Sequence, residues 1–406
     1  MQRSVFFFSL FAALQILVAA QIPPATCQQA APNQTVLHLP SANVSVPTSP
    51  WGLAYVSDGV AFISLGAFVG VLNTSTCTSH LIRTIKLPKY SIHSDGSTDD
   101  NGAAELTMSK NRKEVWVSLG PGAIVLDVEK ALCGHEDAII GELITPMFSS
   151  ATQIVLSIDE SYAFISQEYG SNATRGRGGV QVFEVNRERN GTISGIYIGF
   201  TELQYAVNGM ALSADGKNIY VTSEATLASL MHHKDRGILS VLDVERLKFT
   251  PSKALKVSVD AGCEPVRVAV SPDGSSVWVT ARASNHLVVF DATKLTTMQH
   301  YDAQIATVQV GTSPIGLVFV NGGRQIITAD SNRNNFRNAT TGLTVVDIDS
   351  ALSGKQKFAR VHTGLFPRSF SLSPDGNTLL VSQFDSNAIQ SINLALFSRG
   401  QKHHAL

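Results

Sequence analysis

Pro265-Val266-Arg267-Val268-Ala269-Val270-Ser271-Pro272-Asp273-Gly274 runs directly into Ser275-Ser276-Val277-Trp278-Val279-Thr280. An alternating run, a tight turn and a second alternating run make a β-hairpin. Asp-Gly suits the turn, because Gly accepts positive φ and Asp bonds its own backbone. The block recurs. Met210–Gly216 precedes Ile219–Thr222, Phe370–Gly376 precedes Leu379–Ser382, and Leu53–Gly59 precedes Ala61–Ser64. Weaker copies turn at Asn111-Arg112, Asp159-Glu160 and Gly322-Gly323. The seven turns are spaced about 53 residues apart, the length of a propeller blade with one long loop. A third strand follows each hairpin, as at Leu287–Asp291 and Leu239–Val244, and a weaker fourth often comes after it, as at Ala306–Val310.

One such sheet cannot bury both faces alone, whereas seven packed radially bury each face on a neighbour. The expected fold is therefore all-β, a seven-bladed β-propeller of three- to four-stranded antiparallel blades over residues 45–397. Closure of such a ring often borrows a strand from the other terminus. Val36–Leu39 or Val44–Val46, in the segment 21–44 and just after it, is the candidate to complete the last blade beside Ala388–Ile392.

The hairpin blocks resemble the YVTN repeat, with Gly262-Cys263-Glu264-Pro265 and Gly311-Thr312-Ser313-Pro314 matching its Gly-x-x-Pro lead-in. The chain from about residue 45 to 397 resembles secreted YVTN or lactonase-like seven-bladed propellers. That resemblance implies the fold and a range of activities: sugar-lactone hydrolysis, muconate lactonisation, surface-layer assembly or noncatalytic binding. It carries no catalytic residue onto this chain.

The 406 residues hold 31 Lys+Arg against 32 Asp+Glu, a net charge of -1, which excludes a nucleic-acid binder driven by bulk charge. Charged residues are 16% and hydrophobic ones 44% of the chain, enough for a large core and too apolar for global disorder. Residues 1–20 read as a secretory signal peptide: Arg3, an apolar run from Val5 to Ala20, and a small-residue exit at Val18-Ala19-Ala20. No later run is long and apolar enough to span a bilayer, and the tail 398–406 is polar. Asn33, Asn43, Asn73, Asn172, Asn190 and Asn338 head N-x-[ST] sequons, candidate glycan sites in an exported protein. Cys27, Cys77, Cys133 and Cys263 allow two disulfides in three connectivities, between which spacing does not choose. The expectation is a secreted, extracellular monomer without a nucleic-acid partner.

Propellers bind ligands over the central channel, on the face opposite the Asp-Gly turns. Two residues beyond the Ser or Thr that ends each second strand stand Gly66, Gly120, Glu168, Glu224, Arg282, Asp330 and Phe384. Side chains alternate along a strand, so equivalent positions should share one rim. Glu168, Glu224, Arg282 and Asp330, on consecutive blades, are the catalytic candidates. Asn208, Glu264, Arg267, His286, Arg333 and Arg368 on the same face are the ligand-binding candidates, with Asp385 and the polar insertion 90–101 beside them. An acid could activate water while Arg holds a carbonyl oxygen. Convergent carboxylates could instead hold Ca²⁺, the one cofactor this pattern suggests. A solvated rim would carry the same residue types. The adjacent pairs His232-His233 and His403-His404 are weak metal candidates. Arg175 and Arg177 lie in a Gly/Arg-rich stretch, 171–179, that reads as a glycosylated loop. No G-x-S-x-G, P-loop or dinucleotide motif occurs. Two readings stay open: a lactone hydrolase or lactonising enzyme acting on a small sugar or organic-acid derivative, and a noncatalytic propeller binding a glycan, metabolite or protein.

Overall fold

The computed structural model describes residues 27, 31, 35–74, 79–90, 102–148, 150–232, 236–297, 299–336, 339, 341–355 and 358–395. Residues 1–20, Asn33, Asn338, Cys77, His233, most of the insertion 90–101 and the tail lie outside them. The chain forms seven blades of antiparallel strands in a ring, with short helices between some of the strands. The innermost strands are Leu53–Ser57, Ala103–Met108, Ala151–Leu156, Tyr205–Leu212, Pro265–Val270, Pro314–Val320 and Pro367–Leu372. Each contacts the next, and the seventh contacts the first, so they enclose a channel. Ser41–Ser45 pairs antiparallel with Ala388–Asn393 and forms the outermost strand of blade 7. Thr35–Val36 joins blade 6 instead, parallel to Phe358–Val361. Blades 2 and 3 share one sheet, because Ile139–Ile144 pairs parallel with Ile193–Glu202. Gly141 is needed there, since a Cβ would collide with the Ile193 carbonyl.

The recurring Ser-x-Asp-Gly turn has one geometry. The Ser271 hydroxyl donates to Asp273 Oδ1 at 2.5 Å and accepts from Ser276 N at 2.9 Å. Gly274 takes φ +74°. Ser213–Asp215, Ser373–Asp375 and Ser157–Asp159 repeat the side-chain bond. Another sequence feature finds its reason at the end of the third strand. Asp127, Asp243, Asp291 and Asp347 each cap a short helix, accepting from the backbone N–H three residues on.

Six of the seven blades are joined to the next by a hydroxyl near the end of the second strand. Ser64 donates to Ala104 O (2.5 Å), Ser118 to Thr152 O (3.2 Å) and Ser166 to Asn208 O (3.1 Å). Thr222 donates to Val266 O (2.7 Å), Thr280 to Ile315 O (2.9 Å) and Ser382 to Trp51 O (2.8 Å). The acceptor lies in the first half of the next blade's innermost strand or, for Trp51, two residues before it, and the last bond links blade 7 back to blade 1. The six hydroxyls are buried to the last percent. A hydroxyl buried this way needs a partner, and the carbonyl of the next blade supplies it. Around them the cores alternate between blades: Val277, Val279 and Phe290 of blade 5 pack on Leu239 and Val241 of blade 4.

Thr222→Val removes the hydroxyl at nearly constant shape and strands the Val266 carbonyl and the Gly209 N–H, which donates to the same oxygen. Urea unfolding should show a loss of about 1–3 kcal/mol. A loss near zero would mean that the clasp is incidental to ring stability.

Candidate functional site

Glu224 lies one residue from the end of blade 4's second strand, and Arg282 opens the turn after the corresponding strand of blade 5. Arg282 Nη2 reaches Glu224 Oε2 at 2.7 Å and Glu264 Oε2 at 2.7 Å, while its Nε donates to Glu264 Oε2 at 2.9 Å. Asn208 Nδ2, from blade 4's innermost strand, donates to Glu224 Oε1 at 2.8 Å. Glu264 holds φ +49° in the link into blade 5, an unusual conformation for a non-glycine residue at the point where it meets Arg282. The structure thus brings four of the sequence candidates into one hydrogen-bonded group at the junction of blades 4 and 5.

The group is electrostatically tight. Burial raises the Glu224 carboxyl above the ordinary carboxylate range; Arg282 opposes the shift, the Glu168 and Glu264 charges add to it, and Arg333 opposes it. Burial works against the Arg282 charge, and the two carboxylates outweigh it, so its pKa is raised. Glu168, half-buried at the end of blade 3's second strand, acts on Glu224 and on its neighbour Tyr169. Burial and then Glu168 raise the Tyr169 phenol to about 12. Arg333 is exposed and within electrostatic reach of Glu224 and Tyr169.

A second group crosses the channel. Arg267 Nη2 from blade 5 reaches Glu105 Oε1 from blade 2 at 2.7 Å, and Ser369 Oγ from blade 7 donates to Glu105 Oε2 at 2.9 Å. Blades 2 and 5 are not neighbours in a ring of seven, so this pair bridges the bore. Arg368 lies over the Trp51 ring at 3.4 Å, with Phe366 and Phe384 each 5.7 Å away. The backbone explains how these side chains turn inward. The pairing of first and second strands shifts register at Ala103/Leu106, Val207/Met210, Pro265/Val268 and Pro367/Phe370. Each shift brackets a channel residue: Glu105, Asn208, Arg267, or Arg368 with Ser369. Bulges re-aim side chains in this way.

Two candidates stand apart. Asp330 is fully buried inside blade 6, accepting from Thr328 Oγ1 at 2.8 Å and Thr344 Oγ1 at 2.7 Å, with Arg360 Nη1 4.0 Å away. Its partners are all within blade 6, away from Glu224 and Arg282; the Thr328 hydroxyl, which elsewhere in the ring would clasp the next blade, turns back to hold it. His286 is buried with Nδ1 2.5 Å from Ser284 O, and burial lowers its pKa. Among the described residues no three His, Cys, Asp or Glu side chains are grouped to hold a metal ion. The sequence reading missed Glu105, Trp51, Tyr169 and Ser369. Glu105 had one signal, a lone acid in the otherwise uncharged inner strand Ala103–Met108.

Asp330 supplies a pH test. Burial raises its pKa from 3.8 to about 6, against Arg360 and the two threonines. Its folded value lies above its unfolded one, so wild type loses stability as pH rises from about 4 through 6. The difference in unfolding free energy between wild type and Asp330→Asn should shift in favour of wild type by about 2–3 kcal/mol between pH 7 and pH 4. A pH-independent difference would contradict the burial of an ionisable carboxyl here.

Cys27 and Cys263 form a disulfide that ties the N-terminal segment to the residue before Glu264. Cys133 is exposed. No helix among the described residues is long and apolar enough to cross a membrane. Residues 242–401 match the family model described as Lactonase, 7-bladed beta-propeller. That region includes Glu264, Arg267, Arg282, Asp330 and Arg368; Glu105, Glu168 and Glu224 lie outside it. No curated protein matches the sequence. The chain is similar to one in the Crystal Structure of Mitotic Checkpoint Complex, at 14% identity and TM-score 0.61, over 97% of this chain and 99% of that one. It is also similar to one in Kuenenia stuttgartiensis Hydrazine Synthase, at 14% identity and TM-score 0.61, over 89% of this chain and 98% of that one. At that identity the likeness concerns the fold alone: the chain is a seven-bladed β-propeller whose C-terminal blades match the lactonase-propeller family model.

Proposed function

We propose that this protein is a secreted lactonase-like propeller acting on a small lactone of a sugar or organic acid at the mouth of its channel. The observation that supports the reading best is Glu224: a buried carboxyl with a raised pKa, oriented by Asn208 and Arg282 at the end of a strand facing the channel. A carboxyl shifted toward neutrality is suited to moving a proton at physiological pH. Glu224 takes a proton from water as the water oxygen bonds to the lactone carbonyl carbon. Arg333, exposed and near Glu224, stabilises the oxyanion. The ring C–O bond then breaks, Glu224 returns the proton to the departing ring oxygen, and a hydroxy acid leaves. Lactonisation is the same path reversed. Arg282 and Glu264 are positioning residues that hold Glu224.

A noncatalytic reading has its own support. Tyr169 at the end of blade 3's second strand, Leu227 and Met231 in the helix after blade 4's, Phe336 after blade 6's and Leu365 before blade 7's innermost strand are exposed, as a rim that binds a glycan, a metabolite or a protein would be. Glu224→Gln separates the two. In a lactone-hydrolysis screen it should lower kcat by at least about a hundredfold. The wild-type rate should rise with pH through the raised Glu224 value. Unchanged turnover in Glu224→Gln would remove the catalytic assignment.

Export is supported by the sequence of residues 1–20, the disulfide and the sequons. Asn43, Asn172 and Asn190 are exposed, and Asn73 is half-buried. Expressed with its first 20 residues in a eukaryotic secretory host, the protein should reach the medium beginning near Gln21. Glycopeptide mass spectrometry should find sugar at Asn172 or Asn190. An intact N-terminus and bare asparagines would overturn the secreted reading.

A further inference from the structure

The channel holds more cation than it uses. Arg267 and Arg368 are 8% and 9% exposed, and Glu105 is the acid between them. Glu105 is already engaged by Arg267 Nη2 and by Ser369. Arg267 Nη1, Arg368 Nε and the neighbouring Trp51 Nε1 are buried without a hydrogen-bond partner among the described residues. Buried N–H groups of this kind normally find an acceptor, and leaving them without one is costly. The two guanidinium charges also act on one another: burial first, then Arg267, pulls the Arg368 pKa down to about 9. Arg368 is therefore still charged at neutral pH. Among the described residues Arg267, Arg368 and Glu105 sum to one positive charge, and Arg333 and Glu168, which also act on Arg368, cancel.

We propose that the bore is a carboxylate-binding site, in which Arg368, stacked on Trp51, and the unpaired Nη1 of Arg267 receive one small monoanionic carboxylate. The stack holds the planar guanidinium in place before binding, so few torsions are lost when the anion arrives. One carboxylate neutralises the bore. A phosphate dianion would leave a net negative charge there, because Arg333 and Glu168, which also act on Arg368, offset one another. Ser369 and Glu105 are positioning residues, since they hold Arg267 across the channel. The assignment deepens the lactonase reading by naming the ligand as one that carries a free carboxylate. It rests on the unpaired donors and stands apart from turnover at Glu224.

Trp51 is the built-in reporter, because Trp116 and Trp278 are fully buried within blades. Full-length protein is titrated with sodium acetate at constant ionic strength, and with sodium chloride and inorganic phosphate in parallel, while tryptophan fluorescence is followed. Acetate should give a saturable change that chloride does not. Arg368→Gln should weaken acetate binding by about tenfold or more. Arg267→Lys keeps the charge beside Glu105 but loses the second nitrogen, and should weaken binding several-fold even if Arg368→Gln does not fold. Trp51→Phe should abolish the optical signal while calorimetry still detects acetate. Glu224→Gln should leave the acetate titration in place while silencing turnover, so the two readings fail separately. No saturable response to acetate, tighter binding of phosphate, wild-type affinity in Arg267→Lys, or loss of the response in Glu224→Gln would each overturn the proposal.

Discussion

The ring depends on one repeated bond, in which the hydroxyl near the end of the second strand, in every blade but the sixth, donates to a carbonyl at the entry to the next blade. Packing between flat apolar faces is non-directional and would tolerate sliding. A buried hydroxyl paired with a buried carbonyl does not, because a small displacement leaves both groups without water or partner. The bond from Ser382 to Trp51 carries this constraint across the join between the last blade and the first. Ser41–Ser45 secures the same join at the outer edge of blade 7. The ring is thus closed on its inside and its outside by different parts of the chain.

With the ring in place, the channel becomes the one place where distant blades meet. Glu105 and Arg267 are 162 residues apart and bond directly; Glu105 and Ser369 are 264 apart. Register shifts in the innermost strands aim these residues inward. The charge is layered in consequence. Acids predominate at the junction of blades 3 to 5, where Glu224 and Glu264 hold Arg282 and Glu168 acts on Glu224. In the bore, Arg267 and Arg368 face Glu105. Such buried pairs contribute little net stability, because desolvation consumes much of their attraction. Their retention in a chain with only 16% charged residues is easier to understand as recognition or chemistry.

Much of this was legible in the chain. Ser271-Pro272-Asp273-Gly274 and its copies announce their turns because the Ser–Asp bond is local, spanning two residues. The Ser or Thr after each second strand was visible as a recurrence, though its partner in the next blade was not. Counting two residues beyond it located Glu224 and Arg282 correctly as neighbours, since equivalent positions on adjacent blades do come together. The same count placed Asp330 with them. It lies elsewhere because Thr328 and Thr344 offer a closer pair of donors inside blade 6, a local competition that spacing does not reveal. Arg368 was picked out by its face, but its stacking on Trp51 joins blade 7 to blade 1 and has no linear signature.

Sequence by itself determined the elements and their number: seven hairpins, their turn chemistry and the hydroxyl at each second strand, all set by contacts within a few residues. Only the tertiary structure decided which charges share a site. Those contacts cross the channel or the seam between blades, and the bulges that turn each side chain inward arise from pairing between strands.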